Sequence, residues 1–182
     1  MIKSFDEALK IILKQEPLAI FQGKGELGPR ALGNRSILFD PRNPNAKDIL
    51  NKFKNREWWR PIAATIMLEY VNEYFDMQGL KESPFMAYAI KAKEKALKET
   101  PSIIHADNTC RIQTLKEEDN PNYYKLIKMF YEKTNVPILC NTSLNLAGYP
   151  MVETFEDVLF TMRNSQLKYV FFADESKLLI KT

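Results

Sequence analysis

The stretch GKGELGPRALGNRS (23–36) joins the apolar run LAIFQ (18–22) to the run SILFD (36–40), which starts on its last residue. It holds four glycines (Gly23, Gly25, Gly28, Gly33), one proline, three basic residues (Lys24, Arg30, Arg35) and a single acid, Glu26. A solvated loop does not need that many glycines. They permit tight or left-handed backbone and let a ligand come close to main-chain N–H groups. A strand followed by such a loop places it where open α/β sheets bind ligands, beyond a strand's carboxyl end. The stretch is not a P-loop: no GK[ST] follows the glycines, and no GxGxxG opens a helix. Arg30 and Arg35 can each grip an oxyanion bidentately, which lysine cannot do. The same residues also suit a tight turn whose arginines pair with Asp40 or Glu57, so the stretch alone leaves both readings open.

Charge favours the first. Nine basic residues and four acids lie between residues 22 and 60, a local net of +5 in a chain whose total is +3. A positive field concentrated in this way suits a phosphate-rich ligand, either a nucleotide or nucleic acid. No apolar run approaches the ~20 residues that span a bilayer. The opening MIKSFDEALKII carries acids and lacks a signal peptide's apolar stretch. Cys110 and Cys140 stand alone without a CxxC pairing, so they read as reduced thiols of a cytoplasmic protein, with a disulfide the lesser reading, and no metal site is expected.

The rest of the chain alternates short apolar runs with helical spacing. Ser4 and Glu7 fit a capping box for a helix running to about Gln15, stopped by Pro17. NAKDILNKF (45–53) reads as a helix capped by Asn45. AATIMLEYVNEYF (63–75) starts as strand and ends as helix, and FMAYAIKA (85–92) reads as strand. KEKALKE (93–99) is a charged helix or loop. PSIIHAD and CRIQTL read as two strands around the turn pair Asp107-Asn108. NYYKLIKMFYEKT (122–134) has helical spacing. PILC is a strand, NTSLNLAGYP a polar loop, and TFEDVLFTMRN a helix capped by Thr154. YVFFA and KLLIK close the chain as a strand pair. This pattern predicts an α/β fold with an open, mixed sheet, in one domain spanning 1–182.

Three further groups carry polar chemistry. Lys52, Lys54, Arg56 and Arg60 surround Trp58 and Trp59, an arrangement able to stack a base. A tryptophan packed into the core is the simpler expectation, whereas the repeated charge sign points Lys54 and Arg56 toward function. Asn141, Thr142, Ser143 and Asn145 can bond phosphate or ribose oxygens, or can merely shape a loop. His105, the only histidine, would share a strand face with Asp107, as would Arg111 with Gln113.

Four motifs in this order, GELGPRALGNRSILFDPR, NKFKNREWWRPIA, HADNTCRIQ and VPILCNTSLN, resemble the C-terminal domain of O-carbamoyltransferases of the nodulation and antibiotic-biosynthesis type. The resemblance runs from about residue 17 to the end. It implies a YrdC-like fold with a twisted open sheet flanked by helices. It also implies formation of carbamoyl adenylate from ATP and carbamoyl phosphate, with Mg2+ carried by ATP. The Lys-x-Arg and Ser-x-Asn signatures fall on Lys54, Arg56, Ser143 and Asn145, with Lys54 and Arg56 implied as catalytic. Arg30, Arg35, Ser36, Arg60, His105, Arg111, Asn141 and Thr142 complete the implied binding set.

Two motif positions depart from the family pattern. Arg60-Pro61-Ile62-Ala63-Ala64 stands where RPFAP is usual, and Leu144 replaces the phenylalanine of NTSFN. The family's actin-like transfer domain has no counterpart in these residues, so the resemblance implies a partner protein that carries it. Nucleic acid is the competing ligand, and a structural subunit the third reading.

Overall fold

The computed structural model describes residues 4–181, the Ser4 side chain excepted. The Ser4 half of the expected capping box therefore lies outside the described residues.

Helix α1 (Ser4–Leu13) is followed by strands β1 (Leu18–Phe21) and β2 (Arg35–Phe39), helix α2 (Ala46–Phe53) and strand β3 (Ala63–Met67). Helix α3 (Val71–Tyr74), strands β4 (Phe75–Asp76) and β5 (Ala89–Ala92), helix α4 (Glu94–Glu99) and strand β6 (Thr109–Leu115) come next. Helix α5 (Pro121–Thr134), strand β7 (Ile138–Ser143), helix α6 (Phe155–Arg163) and strands β8 (Tyr169–Phe172) and β9 (Lys177–Ile180) complete the order. Among the described residues the nine strands form one sheet, ordered β4-β5-β6-β3-β7-β2-β1-β8-β9. Pairing is parallel for β1 with β8 and β3 with β6, and antiparallel elsewhere, as in an open mixed sheet.

Burial follows position in the sheet. All five residues of β2 are buried, as expected of a strand covered on both faces, whereas the edge strand β9 is half exposed. Helix α1 buries Ala8, Leu9, Ile11 and Ile12, the stripe read from its spacing. Helix α5 buries Tyr123, Leu126, Ile127 and Phe130; the Asn120 side chain caps its start, Pro121 opens it, and left-handed Asn135 ends it. The two helices pack on each other and on the sheet. Thr154 and Asp157 form the capping box of α6.

Four expectations are corrected. Asn45 precedes α2 but makes no side-chain cap bond. Only Ala89–Ala92 of the 85–92 segment is strand, because Met86 adopts a left-handed φ of 54° that breaks an extended run. Residues Pro101–Ile103 form a 3-10 turn rather than a strand, with proline setting φ at its first position. Asn141, Thr142 and Ser143 belong to β7, not to a loop. All three pair with β2, at Leu38, Ile37 and Ser36, and Asn141 pairs also with Ala63 of β3; that ladder overrides their polar, turn-favouring composition.

Candidate anion-binding cleft

Residues from four motifs meet in an open cleft of about 380 Å³. Arg30 comes from the glycine-rich stretch, Arg56 and Arg60 from the segment after α2, Arg111 from β6, and Asn141, Thr142 and Ser143 from β7. Pro29, Ala31, Trp59, Pro61, Ala63 and Met86 supply an apolar wall. No acid lines the cleft, and among the described residues no carboxylate forms an ion pair with Arg30, Arg56 or Arg111. Arg60 is exposed and pairs with Glu57 at 2.6 Å. Three uncompensated guanidiniums around one concavity leave a positive field that an anion relieves.

The glycine-rich stretch is folded around its one acid. Glu26 Oε1 accepts from the backbone N–H groups of Leu32 (2.9 Å), Asn34 (2.6 Å) and Arg35 (3.3 Å). From the sheet, Gln113 Nε2 donates to Leu32 O at 2.8 Å and Asn141 Nδ2 to Ala31 O at 3.2 Å. Gly33, at φ 114°, lies directly against the Tyr123 ring. Arg30 is thereby carried to the cleft on a pinned backbone, its own guanidinium making only a long bond to Pro29 O (3.4 Å).

Lys54 joins the two signature motifs. Its Nζ donates to Ser143 O (2.5 Å), Ser143 Oγ (2.8 Å) and Asn145 Oδ1 (2.8 Å). Ser143 Oγ in turn donates to Asn145 Oδ1 at 2.6 Å. Burial, reinforced by the Arg56 charge, lowers the Lys54 amine to about 7, above which the neutral amine keeps two N–H groups for these three acceptors. Burial, with repulsion from Arg60 second, lowers Arg56 to about 10, and its Nε donates to Asn51 Oδ1. Lys54 gives the fold a pH dependence of definite sign. Between pH 7 and its ordinary 10.5 the unfolded chain holds a proton that the folded chain does not, so stability rises with pH across that window. Relative to Lys54→Met, the wild type gains up to about 1.4 kcal/mol per pH unit there, read from urea unfolding at pH 7.5 and 9. Parallel pH curves for the two proteins would contradict this.

The structure brings Arg30, Arg56, Arg60, Arg111, Asn141, Thr142 and Ser143 to the cleft, with Lys54 and Asn145 bonded behind Ser143. It does not bring Arg35, Ser36 or His105. Arg35 is buried, donates to the carbonyls of Gln22, Asn34 and Gly23, and stacks over Phe21 at 3.6 Å, so it clamps the two ends of the glycine-rich stretch together. Ser36 is buried and accepts from Gly33 N. His105 lies in a turn, bonded through Nδ1 to Thr109 Oγ1 at 3.0 Å, and Asp107 accepts from Thr109 rather than sharing a strand face with it.

Both tryptophans also correct an expectation. Trp58 is 73% and Trp59 59% exposed, so neither packs in the core. Lys47 stands over Trp58 and Arg60 over Trp59. Met86 was missed: a buried methionine with a left-handed backbone leaves no trace in residue type. Gln113 was noted only as a strand neighbour, and its role in holding Leu32 depends on a contact 81 residues away.

Comparison with known proteins agrees with the motifs. A 42% identical segment covers 84% of this chain and 25% of an uncharacterized protein of Methanocaldococcus jannaschii. The nodulation protein NolO of Bradyrhizobium diazoefficiens is 40% identical over 80% of this chain and 27% of its own length. The 3'-hydroxymethylcephem-O-carbamoyltransferase of Amycolatopsis lactamdurans is 35% identical over 78% of this chain and 26% of its own. The chain thus spans about a quarter of each of these relatives. Full-length HypF, in a phosphate- and nucleotide-bound crystal form, superposes with a TM-score of 0.59 at 18% identity, over 88% of this chain and 20% of that one. That likeness is one of fold, and it bears out the α/β arrangement expected from the motifs. The family model for the carbamoyltransferase C-terminus matches residues 9–177, and the chain belongs to that family.

Proposed function

We propose that the cleft forms carbamoyl adenylate from ATP and carbamoyl phosphate. The observation that carries this reading is the convergence of Arg30, Arg56 and Arg111, all without carboxylate partners among the described residues, on one cleft. Two phosphorylated substrates repel each other, and one site holds both only where several fixed cations neutralise them. In the reaction, carbamoyl phosphate loses phosphate to water and leaves carbamate. A carbamate oxygen then attacks the α-phosphorus of ATP, and the bond to pyrophosphate breaks. Arg56 and Arg111 are assigned to the charge that builds on the phosphoryl oxygens, and Arg30 to the outgoing or incoming phosphate. Lys54 holds Ser143 and Asn145 in place, and the pinned backbone at Ala31 and Leu32 keeps the reactants aligned.

Magnesium is assigned to the ATP phosphates, since among the described residues no three of His, Cys, Asp and Glu cluster to hold a metal. Transfer of the carbamoyl group to an acceptor hydroxyl is assigned to an actin-like unit on a partner.

The test is pyrophosphate release from ATP by the full chain, with and without carbamoyl phosphate. Release that depends on carbamoyl phosphate is expected; ATP turnover indifferent to it would refute the reading. A second reading, RNA binding, is favoured by the exposed Trp58 and Trp59 under Lys47 and Arg60. It is distinguished in the same samples by a steep salt dependence and no response to carbamoyl phosphate.

A further inference from the structure

Asn141 lines the cleft with one half of its amide held by the fold and the other half held by nothing. Its Nδ2 donates to Ala31 O (3.2 Å) and Thr65 Oγ1 (2.9 Å) and lies 3.3 Å from Gln113 Oε1. The direction of these bonds is not free. The main-chain carbonyls of Ala31 and Leu32 can only accept. Gln113 must therefore turn Nε2 toward Leu32 O (2.8 Å) and Oε1 inward, where Thr65 Oγ1 donates to it at 2.8 Å. Thr65 has then spent its proton and can only accept from Asn141. Rotating the Asn141 amide by half a turn would set its oxygen against three acceptors. Its Oδ1 is thus fixed on the free edge of the amide, buried and without a hydrogen-bond partner, on a side chain 1% exposed.

A buried acceptor left unsatisfied is uncommon in a native fold. The surrounding arginines call for an anion, yet an anion's oxygens are repelled by Oδ1. The two demands are met together by one small molecule that carries negative oxygens and, close to them, an uncharged N–H donor. A carbamoyl phosphate has that pattern: its phosphate faces guanidiniums while its amino group donates. An acetyl phosphate has the same shape with a methyl in place of the amino group and leaves Oδ1 bare.

We propose that Asn141 Oδ1 accepts from the amino group of the carbamoyl donor and selects it over acyl phosphates of the same size. This rests on the function proposed above and adds the residue that reads the donor's nitrogen. A site that bonds a substrate N–H discriminates sharply against an analogue without it, because its own buried acceptor is then unpaired.

The experiment is calorimetric titration of the full chain with inorganic phosphate, acetyl phosphate and carbamoyl phosphate, repeated on Asn141→Ala. Wild type binds carbamoyl phosphate at least about tenfold more tightly than acetyl phosphate, the worth of one buried hydrogen bond. In a folded Asn141→Ala the preference falls below about twofold while inorganic phosphate still binds. Should the variant fail to fold, the wild-type comparison decides alone. Equal affinity for the two acyl phosphates, with inorganic phosphate bound, overturns the role of Asn141 and leaves the anion cleft standing. A preference that survives in folded Asn141→Ala overturns it too. No binding of any of the three anions removes the proposed function and this inference together.

Discussion

Arg56→Ala lowers carbamoyl-phosphate-dependent pyrophosphate release by about 10²- to 10³-fold, the loss that follows removal of one pre-positioned donor from a site where charge develops. The side chain is suited to such an effect by its surroundings. Its Nε is held by Asn51 Oδ1, and Asn51 is itself fixed by Nδ2 bonds to Trp58 O (3.0 Å) and Arg60 O (2.9 Å). The guanidinium is therefore aimed before substrate arrives, and burial, with the Arg60 charge second, weakens its hold on its own proton. Arg56→Lys restores little, since a point charge does not reproduce a planar fork. Arg60→Ala serves as the contrast. Arg60 is exposed and already paired with Glu57, so its loss costs less than about tenfold. A variant Arg56→Ala that kept more than a tenth of wild-type release would refute the assignment. Asn51 keeps both of its backbone bonds but its buried Oδ1 loses Arg56, so the variant unfolds at a lower urea concentration, by about 1–3 kcal/mol, and release is compared where both proteins are folded.

Gly33→Ala unfolds at a much lower urea concentration than wild type, with a loss of about 2–6 kcal/mol. Two causes add. The residue sits at φ 114°, which an L side chain rarely adopts, and a Cβ there would stand 2.3 Å from Tyr123 Cδ1. Tyr123 is fully buried on α5 beside Leu126 and Ile127 and has no open side to retreat into. Gly28 separates the two causes. It has a φ of 109°, yet a Cβ built on it meets nothing within 4 Å, so Gly28→Ala loses only the conformational part, about 1–3 kcal/mol. Equal losses at the two positions would show that contact with Tyr123 contributes nothing. The glycine at position 33 is thus explained by close packing of a loop on a helix, and through that packing Arg30 is set at the cleft.

Much of this chain is legible in residue order alone. Local signals act over a few residues, and they placed the stripe of α1, the helical spacing of α5 and the Thr154 cap of α6. Four motifs read in order identified the family, and the Lys-x-Arg and Ser-x-Asn signatures proved to touch through Lys54, Ser143 and Asn145. What residue order could not decide was which of several like residues face the ligand. Arg30 and Arg35 are five positions apart with the same chemistry, yet one lines the cleft and the other is buried on backbone carbonyls over Phe21. That choice is made by the antiparallel register of β1 and β2, which sets Arg35 opposite Phe21. Likewise Asn141 and Ser143 looked like loop residues until pairing with β2, and for Asn141 also with β3, drew them into the sheet. Local periodicity and capping are properties of neighbouring residues, and the sequence by itself determined them. The direction of a side chain in a sheet, and the freedom of one amide oxygen among three acceptors, depend on partners tens of residues away, and only the tertiary structure decided those.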